Sequence, residues 1–299
     1  SGGYAGSSFR YGTNAREVSL SNSLVGSNNS GFDSFINPAI LGFFKGKHIG
    51  SSMFFLSNDR NIQAFSYSQE LPPSAGAAIS LFRAGVTDII GINSNEYLTD
   101  PLGYSDGYIM LSFGISFSKK LSLGINAKAL FQRFVISDDE KYTSNGIGLD
   151  FGVFLSPFEK FNIGLKLENG KYNWNDPIKG ENFQYEEIIP SRYLIGGSYT
   201  PFKTLILLFQ QELISLESYL THRSSFGIEY SPTYKVPIFI RFGMKQNKWA
   251  AVEDDSNKIE LKPSMGIGCE LLFMNKFLTH IDYGIQINEM GMNNLISIS

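Results

Sequence analysis

The sequence predicts an all-β fold: a closed antiparallel transmembrane β-barrel of about 14 strands with an N-terminal plug or hatch segment. Three observations predict it. Apolar residues alternate with polar ones over long stretches, short turns alternate with longer polar loops, and aromatic side chains gather beside the short turns.

The alternation is clearest from about residue 106 onward. Ile109, Leu111, Phe113, Ile115 and Phe117 share one face, with Ser112, Gly114 and Ser116 on the other. The pattern returns in Leu121, Leu123, Ile125, Ala127, Ala129 and Phe131, then in Ile147, Leu149, Phe151 and Val153, then in Phe161, Ile163, Leu165 and Leu167. Downstream it recurs in Val236, Ile238, Ile240 and Phe242, in Met265, Ile267, Cys269 and Leu271, and in Ile281, Tyr283, Ile285 and Ile287. Runs of roughly 10 residues exceed the mean of about 5 or 6 in soluble domains and match a tilted membrane-spanning strand of about 9 to 11. The first third is less regular, and strands over 47–57, 60–70 and 75–86 continue the count.

Short connections fall at 118–120, 157–160, 201–203, 232–235 and 275–276, and longer polar ones near 135–143, 171–191, 214–221 and 247–262. In a bacterial outer-membrane barrel the short turns are periplasmic, which places both termini on that side. Phe117, Phe158, Phe161, Tyr199, Phe202, Tyr230, Tyr234, Phe273 and Phe277 lie close to the short turns, where an aromatic girdle sits. A soluble antiparallel sandwich also alternates, but it gives no reason for aromatics to collect at one end.

Composition agrees. Lys and Arg number 25 against 28 Asp and Glu, a net charge of −3, so no nucleic-acid partner is expected. Charged residues make up 18% and aromatic ones 14%, whereas about a quarter of a soluble domain is charged. The single cysteine, Cys269, excludes an intramolecular disulfide framework and a Cys-rich metal site, and three scattered histidines, His48, His222 and His280, leave little for a His-based one. No apolar run approaches the roughly 20 residues of a spanning helix. The start at Ser1 shows neither the basic nor the apolar region of a signal peptide, as expected of a mature form.

If the apolar face meets outer-membrane lipid, the alternate positions point inward: Asn126, Lys128, Asp150, Lys166, Glu168, Gln210, Glu212, Glu229, Arg241, Glu270, His280 and Asp282. Lys128, Asp150 and Lys166 come from three successive strands, close enough to pair across the sheet. The set reads either as a substrate or ion pathway or as a charge-paired, filled lumen; the need of buried charges for partners favours the second. Residues 1–40 lack the alternation, yet Phe9, Tyr11, Leu20, Leu24, Val25, Phe32, Phe35 and Ile36 are too apolar for a disordered tail. They are expected to form a periplasmic plug or cap, with the barrel over 41–299.

Within that segment, Ala15-Arg16, Asp33 and Asn37-Pro38-Ala39-Ile40-Leu41 stand in order ahead of the barrel pattern. Farther on come Phe82-Arg83-Ala84-Gly85, Tyr104-Ser105-Asp106, Gly124-Ile125-Asn126-Ala127-Lys128 and Gly148-Leu149-Asp150-Phe151-Gly152. Together these resemble the FadL-like outer-membrane barrels, and within them the PorV/PorQ family. The resemblance implies one of two roles. One is an accessory of type IX secretion that binds a secreted protein or a translocon component; the other is uptake of fatty acids or other hydrophobic small-molecule ligands past an N-terminal hatch. It marks Arg16, Asn37 and Pro38 as plug residues. Two departures stand out: Ser19-Leu20-Ser21-Asn22-Ser23 replaces the usual glycine-rich stretch, and the chain closes on Ile298-Ser299 where a terminal aromatic is common, so further residues are expected to follow. The secretion role is placed first, because the resemblance is closest to the PorV/PorQ kind and the inward set is charged. A structural barrel that self-associates is the third reading.

No enzyme is expected. Neither a phosphate loop nor a His-metal spacing is visible, and no cofactor is predicted. A spatial triad, as in an outer-membrane phospholipase or protease, stays open because Ser and Asp are plentiful. Asp138-Asp139-Glu140 and Glu253-Asp254-Asp255 could offer oxygens to Ca²⁺ but read as solvated loop tips. Tyr172, Trp174, Phe183 and Tyr185 in the 171–191 loop read either as an extracellular contact surface or as part of the outer aromatic girdle.

Overall fold

The computed structural model describes residues 5–27, 31–57, 59–90, 102–135, 141–175, 184–216, 219–232, 237–247, 260–273, 277–288 and 291–299. Fourteen antiparallel strands close on themselves, each paired with its sequence neighbours and the first with the last. They are β1 (Lys47–Phe55), β2 (Arg60–Leu71), β3 (Ala75–Ile89), β4 (Leu102–Ser118), β5 (Leu121–Val135), β6 (Lys141–Phe158) and β7 (Phe161–Asn175). They continue as β8 (Gln184–Phe202), β9 (Leu205–Leu216), β10 (Tyr219–Tyr230), β11 (Ile238–Asn247), β12 (Glu260–Phe273), β13 (Phe277–Asn288) and β14 (Gly291–Ile298).

The outward positions are those the alternation assigns to lipid. Ile79, Ile109, Leu111, Ile147, Phe151 and Ile267 are all exposed, and comparable residues recur around the whole wall. An apolar surface of that extent is far beyond what water tolerates on a monomer and is what a hydrocarbon layer requires. No described helix is long and apolar enough to cross a membrane. Phe117, Phe158, Phe202 and Phe277 stay 62–72% exposed beside the short connections, where an interfacial girdle belongs.

Several expected loops are strand. The strands run from 8 residues in β14 to 19 in β8, most of them longer than the roughly 10 expected. Most of 171–191 belongs to β7 and β8, and β9 and β10 occupy 214–221 except for two residues. These extensions mix polar and apolar side chains in short stretches, so they offer no sustained hydrophobic alternation to read. Val236, Tyr234, Phe183 and the carboxylate runs at 138–140 and 253–255 lie outside the described residues.

Ahead of β1 the chain forms a 3-10 turn (Ser7–Arg10), α1 (Ala15–Ser19), α2 (Asp33–Ile36) and a second 3-10 turn (Pro38–Phe43). Asn14 caps α1 by accepting from the Glu17 backbone N–H, while the Glu17 carboxylate accepts from the Thr13 backbone N–H at 2.7 Å and its hydroxyl at 2.9 Å. Asn37 caps the second 3-10 turn, with Pro38 at its first position, where a missing N–H costs nothing. The segment extends past residue 40, the boundary expected from sequence, because this turn continues through Phe43 before Gly46 leads into β1.

Candidate functional site

The N-terminal segment lies against the inner wall of the barrel. Ala15, Leu20, Ala39 and Leu41 are fully buried, and α1 packs against β11 to β14 while the second 3-10 turn packs against β3 to β6. The inner wall receives it through small polar side chains. The Ala15 N–H donates to Ser297 Oγ at 3.1 Å, Ser21 Oγ meets Ser264 Oγ at 2.7 Å, Ser34 Oγ meets Ser80 Oγ at 2.9 Å, and Ser198 Oγ donates to the Gly26 carbonyl at 2.9 Å. Asn37 Nδ2 donates to the carbonyls of Val25 and Val153, each at 3.1 Å, tying two parts of the segment to β6. Glycines let the two backbones approach. A Cβ at Gly164 would overlap the Val25 carbonyl, and one at Gly124 would overlap Pro38.

Two buried ionic chains organise the inner wall. In the first, Arg16 on α1 pairs with Glu229 of β10, Nε to Oε2 at 2.9 Å, and Arg241 of β11 holds the same oxygen at 2.6 Å while reaching Asp282 of β13 at 2.6 Å. Burial alone would lower the Arg16 guanidinium; the charge and hydrogen bond of Glu229, with the Asp282 and Asp33 carboxylates behind them, together raise it above its ordinary value. The second chain crosses β5 to β11. Lys128 pairs with Asp150 at 2.8 Å, Lys166 lies 3.8 Å from Asp150 and 2.6 Å from Glu168, and Arg192 joins Glu168 at 2.6 Å to Glu212 at 2.9 Å. Arg223 and Lys245 then close on Glu212 at 3.1 and 3.8 Å. Lys166 also donates to the Phe35 carbonyl and Asn126 to that of Ser34, so this belt grips the segment too.

Of the inward residues expected from sequence, Asn126, Lys128, Asp150, Lys166 and Glu168 come together in the belt, and Glu229, Arg241 and Asp282 meet around Arg16. Glu270 stands apart. It faces His280 at 3.4 Å near the short connections, with both side chains about 30% exposed. Tyr172 is not a loop residue: it is fully buried in β7, among lumen side chains, because the strand continues past the expected loop boundary. Trp174 also falls within β7, and Tyr185 is 66% exposed on β8. Sequence reading missed Arg192, Arg223 and Lys245. Arg192 falls one residue before the outward Tyr193, so the alternation of Tyr193 and Ile195 would have turned it inward, and Arg223 lies directly opposite Glu212 in the register.

Next to the belt the lumen is aromatic. Phe9 of the segment sits edge-on to Phe82 at 5.7 Å and to Tyr108 at 5.0 Å, and those two wall rings stack at 5.3 Å. Met110, Leu130 and Tyr172 pack into the same cluster. Two small cavities border it. One, of about 30 Å³, lies between Phe9, Leu130, Ile189 and Arg192, and the other, of about 40 Å³, between Tyr11, Glu17, Leu24 and Lys166. Both are far below the roughly 300 to 1,000 Å³ of a ligand pocket. Among the described residues no cluster of His, Cys, Asp and Glu has the geometry of a metal site.

Neither a family model nor a curated protein matches the chain. Solved structures do. The CymD monoaromatic hydrocarbon channel superposes with a TM-score of 0.68 at 13% identity, over 96% of both chains. The Pseudomonas putida toluene transporter TodX gives 0.67 at 10% identity, over 96% of this chain and 98% of its own. A Pseudomonas aeruginosa FadL homologue gives 0.67 at 10%, over 96% and 97%. At these identities the likeness is one of fold: this chain has the 14-stranded architecture of FadL-like outer-membrane barrels.

Proposed function

We propose that this protein is a non-enzymatic channel of the bacterial outer membrane that admits a hydrophobic small molecule, with both termini periplasmic and residues 5–44 acting as a movable plug. The observation that carries the reading is the aromatic cluster that Phe9 makes with Phe82 and Tyr108 inside a barrel similar, along nearly its whole length, to hydrocarbon channels. The charged inward residues, which had favoured a secretion partner over transport, do not stand against it. They are held in ion pairs along the wall, and the aromatic cluster adjoins them, with Lys128 Nζ 5.0 Å from the centre of the Tyr108 ring. The solved neighbours therefore weight the reading toward transport and away from the type IX role that the resemblance had put first.

With the segment seated, neither cavity accommodates a hydrocarbon, so passage requires the segment to shift. The test is uptake of labelled toluene into proteoliposomes holding the purified full chain. Uptake faster than in protein-free vesicles is expected, and a folded, inserted protein that gives no acceleration would refute the channel. Recovery of a stoichiometric protein partner from native membrane, with no toluene uptake, would return the reading to secretion.

A further inference from the structure

The outward face of the wall is apolar across its middle, and the inward charges pair with each other. Arg83 and Arg133 do neither. Arg83 follows Ile79 and Leu81 on the outward face of β3, Arg133 follows Ala129 and Phe131 on that of β5, and both arginines are exposed. Across β4, Arg83 is level with Gly107, which is level with Phe131, while Ser105 is level with both Gly85 and Arg133. The two arginines are thus two strands apart, about 10 Å, and one outward position out of step. Gly85 and Ser105 form a floor between them that carries little bulk. Lys141 faces outward one step farther along, on β6 opposite Val135.

The outward residues sharing these rows are Asn61, Gln63, Thr143 and Asn145, so no carboxylate among them answers the cations. Neither arginine has an ion-pair partner among the described residues. Lys141 begins β6, Arg133 lies two residues from the end of β5, and Arg83, midway along β3, is level with Gln63 near the start of β2; all three are displaced toward the ends opposite the short turns, the direction in which a lipid-facing wall meets headgroups. A guanidinium on a lipid-facing wall is tolerated there when an anion meets it, and its fork of donors matches phosphate oxygens.

We propose that Arg83 and Arg133, with Lys141 beside them, bind the anionic phosphate of a lipid headgroup in the leaflet at that end of the barrel. The proposal rests on the membrane placement and is independent of what the lumen carries. Native mass spectrometry of the detergent-purified full chain tests it, with phosphatidic acid, phosphatidylcholine of the same acyl chains, and inorganic phosphate as separate probes. One phosphatidic acid should be retained about tenfold better than phosphatidylcholine, the worth of a charge-assisted contact. The Arg83→Gln, Arg133→Gln double variant should lose that preference, while Lys119→Gln with Lys160→Gln at the opposite rim should keep it. Should the neutral variant not fold, Arg83→Lys with Arg133→Lys keeps the charge, removes the fork and should still lose most of the preference. Equal retention of the two lipids, or a preference that survives both arginine variants, would overturn the proposal. Inorganic phosphate binding as tightly as the lipid would assign the pair to a free anion instead. Toluene uptake is read separately, so loss of lipid retention leaves the channel reading untouched.

Discussion

Arg16 of the N-terminal segment grips Glu229 of the barrel wall through both carboxylate oxygens, Nε to Oε2 at 2.9 Å and a terminal nitrogen to Oε1 at 3.1 Å. This two-pronged contact joins residues 213 positions apart in sequence, and Arg241 braces the same carboxylate from the neighbouring strand. The segment is therefore fixed to the wall by charge as well as by packing. Removing one member leaves its partners buried without an answer, which typically costs about 3 to 5 kcal/mol.

Glu229→Gln should accordingly loosen the segment while leaving the barrel closed, because the wall's backbone ladder does not involve the side chain. Limited proteolysis should cut within residues 5–44 faster than in the wild type, and single-channel recordings should show a raised conductance. A segment as protected as before, with unchanged conductance, would show that Arg16 is not its anchor.

The belt offers a comparison of buried with exposed charge. Glu212 answers Arg192, Arg223 and Lys245 at once and is almost fully buried, whereas Glu70 answers Lys45 at the surface, where the lysine side chain is 75% exposed. Glu212→Gln should lower the resistance of the barrel to urea by several kcal/mol, and Glu70→Gln by about 1 kcal/mol or less. Equal losses in the two variants would mean that the belt is solvated and contributes little.

The closed barrel was legible in the sequence because lipid on one side and polar side chains on the other imposed a period of two on nearly every membrane-spanning strand. Ile109 to Phe117 and Met265 to Leu271 show it without help from the structure. Polar stretches at the strand ends carry no such signal, so Tyr172 looked like a loop residue although it is buried. The inward charges could be enumerated, but which of them meet depends on register. Lys128 is level with Gly148 and not with Asp150, and the pair forms on a diagonal that long side chains can span. For the N-terminal segment, its apolar residues announced that something must bury them, while its path depended on glycines such as Gly164, whose reason for being small is visible only against Val25.

A pH dependence follows from Glu17. Burial raises its carboxyl above the ordinary 4.5, and the two hydrogen bonds from Thr13 oppose that only in part. The folded state therefore holds its proton at pH values where the unfolded chain has lost it. Its contribution to stability is fully present below the ordinary value and declines as pH rises through the raised one. Denaturant unfolding across that window should give a falling stability for the wild type, and a flatter profile for Glu17→Gln. Parallel profiles would show that Glu17 does not titrate on folding.

Phe9 is where the packing of the segment and the proposed passage of a hydrophobic molecule meet. Its ring fills the space between Phe82, Tyr108 and the small cavity beside Leu130 and Ile189, so its removal enlarges that cavity directly. Truncating a packed aromatic ring costs about 3 to 5 kcal/mol when it is fully buried, and less here because Phe9 is only partly buried. The ionic anchor at Arg16 and the hydrogen bonds at Asn37 are untouched by the change, so the segment should remain seated. Phe9→Ala should then take up toluene faster than the wild type in proteoliposomes, while protection of residues 12–44 from protease stays the same. Phe9→Trp should do the reverse, slowing uptake by filling the same space. If neither substitution changes the rate in vesicles containing equal amounts of folded barrel, the hydrophobic path does not run past Phe9.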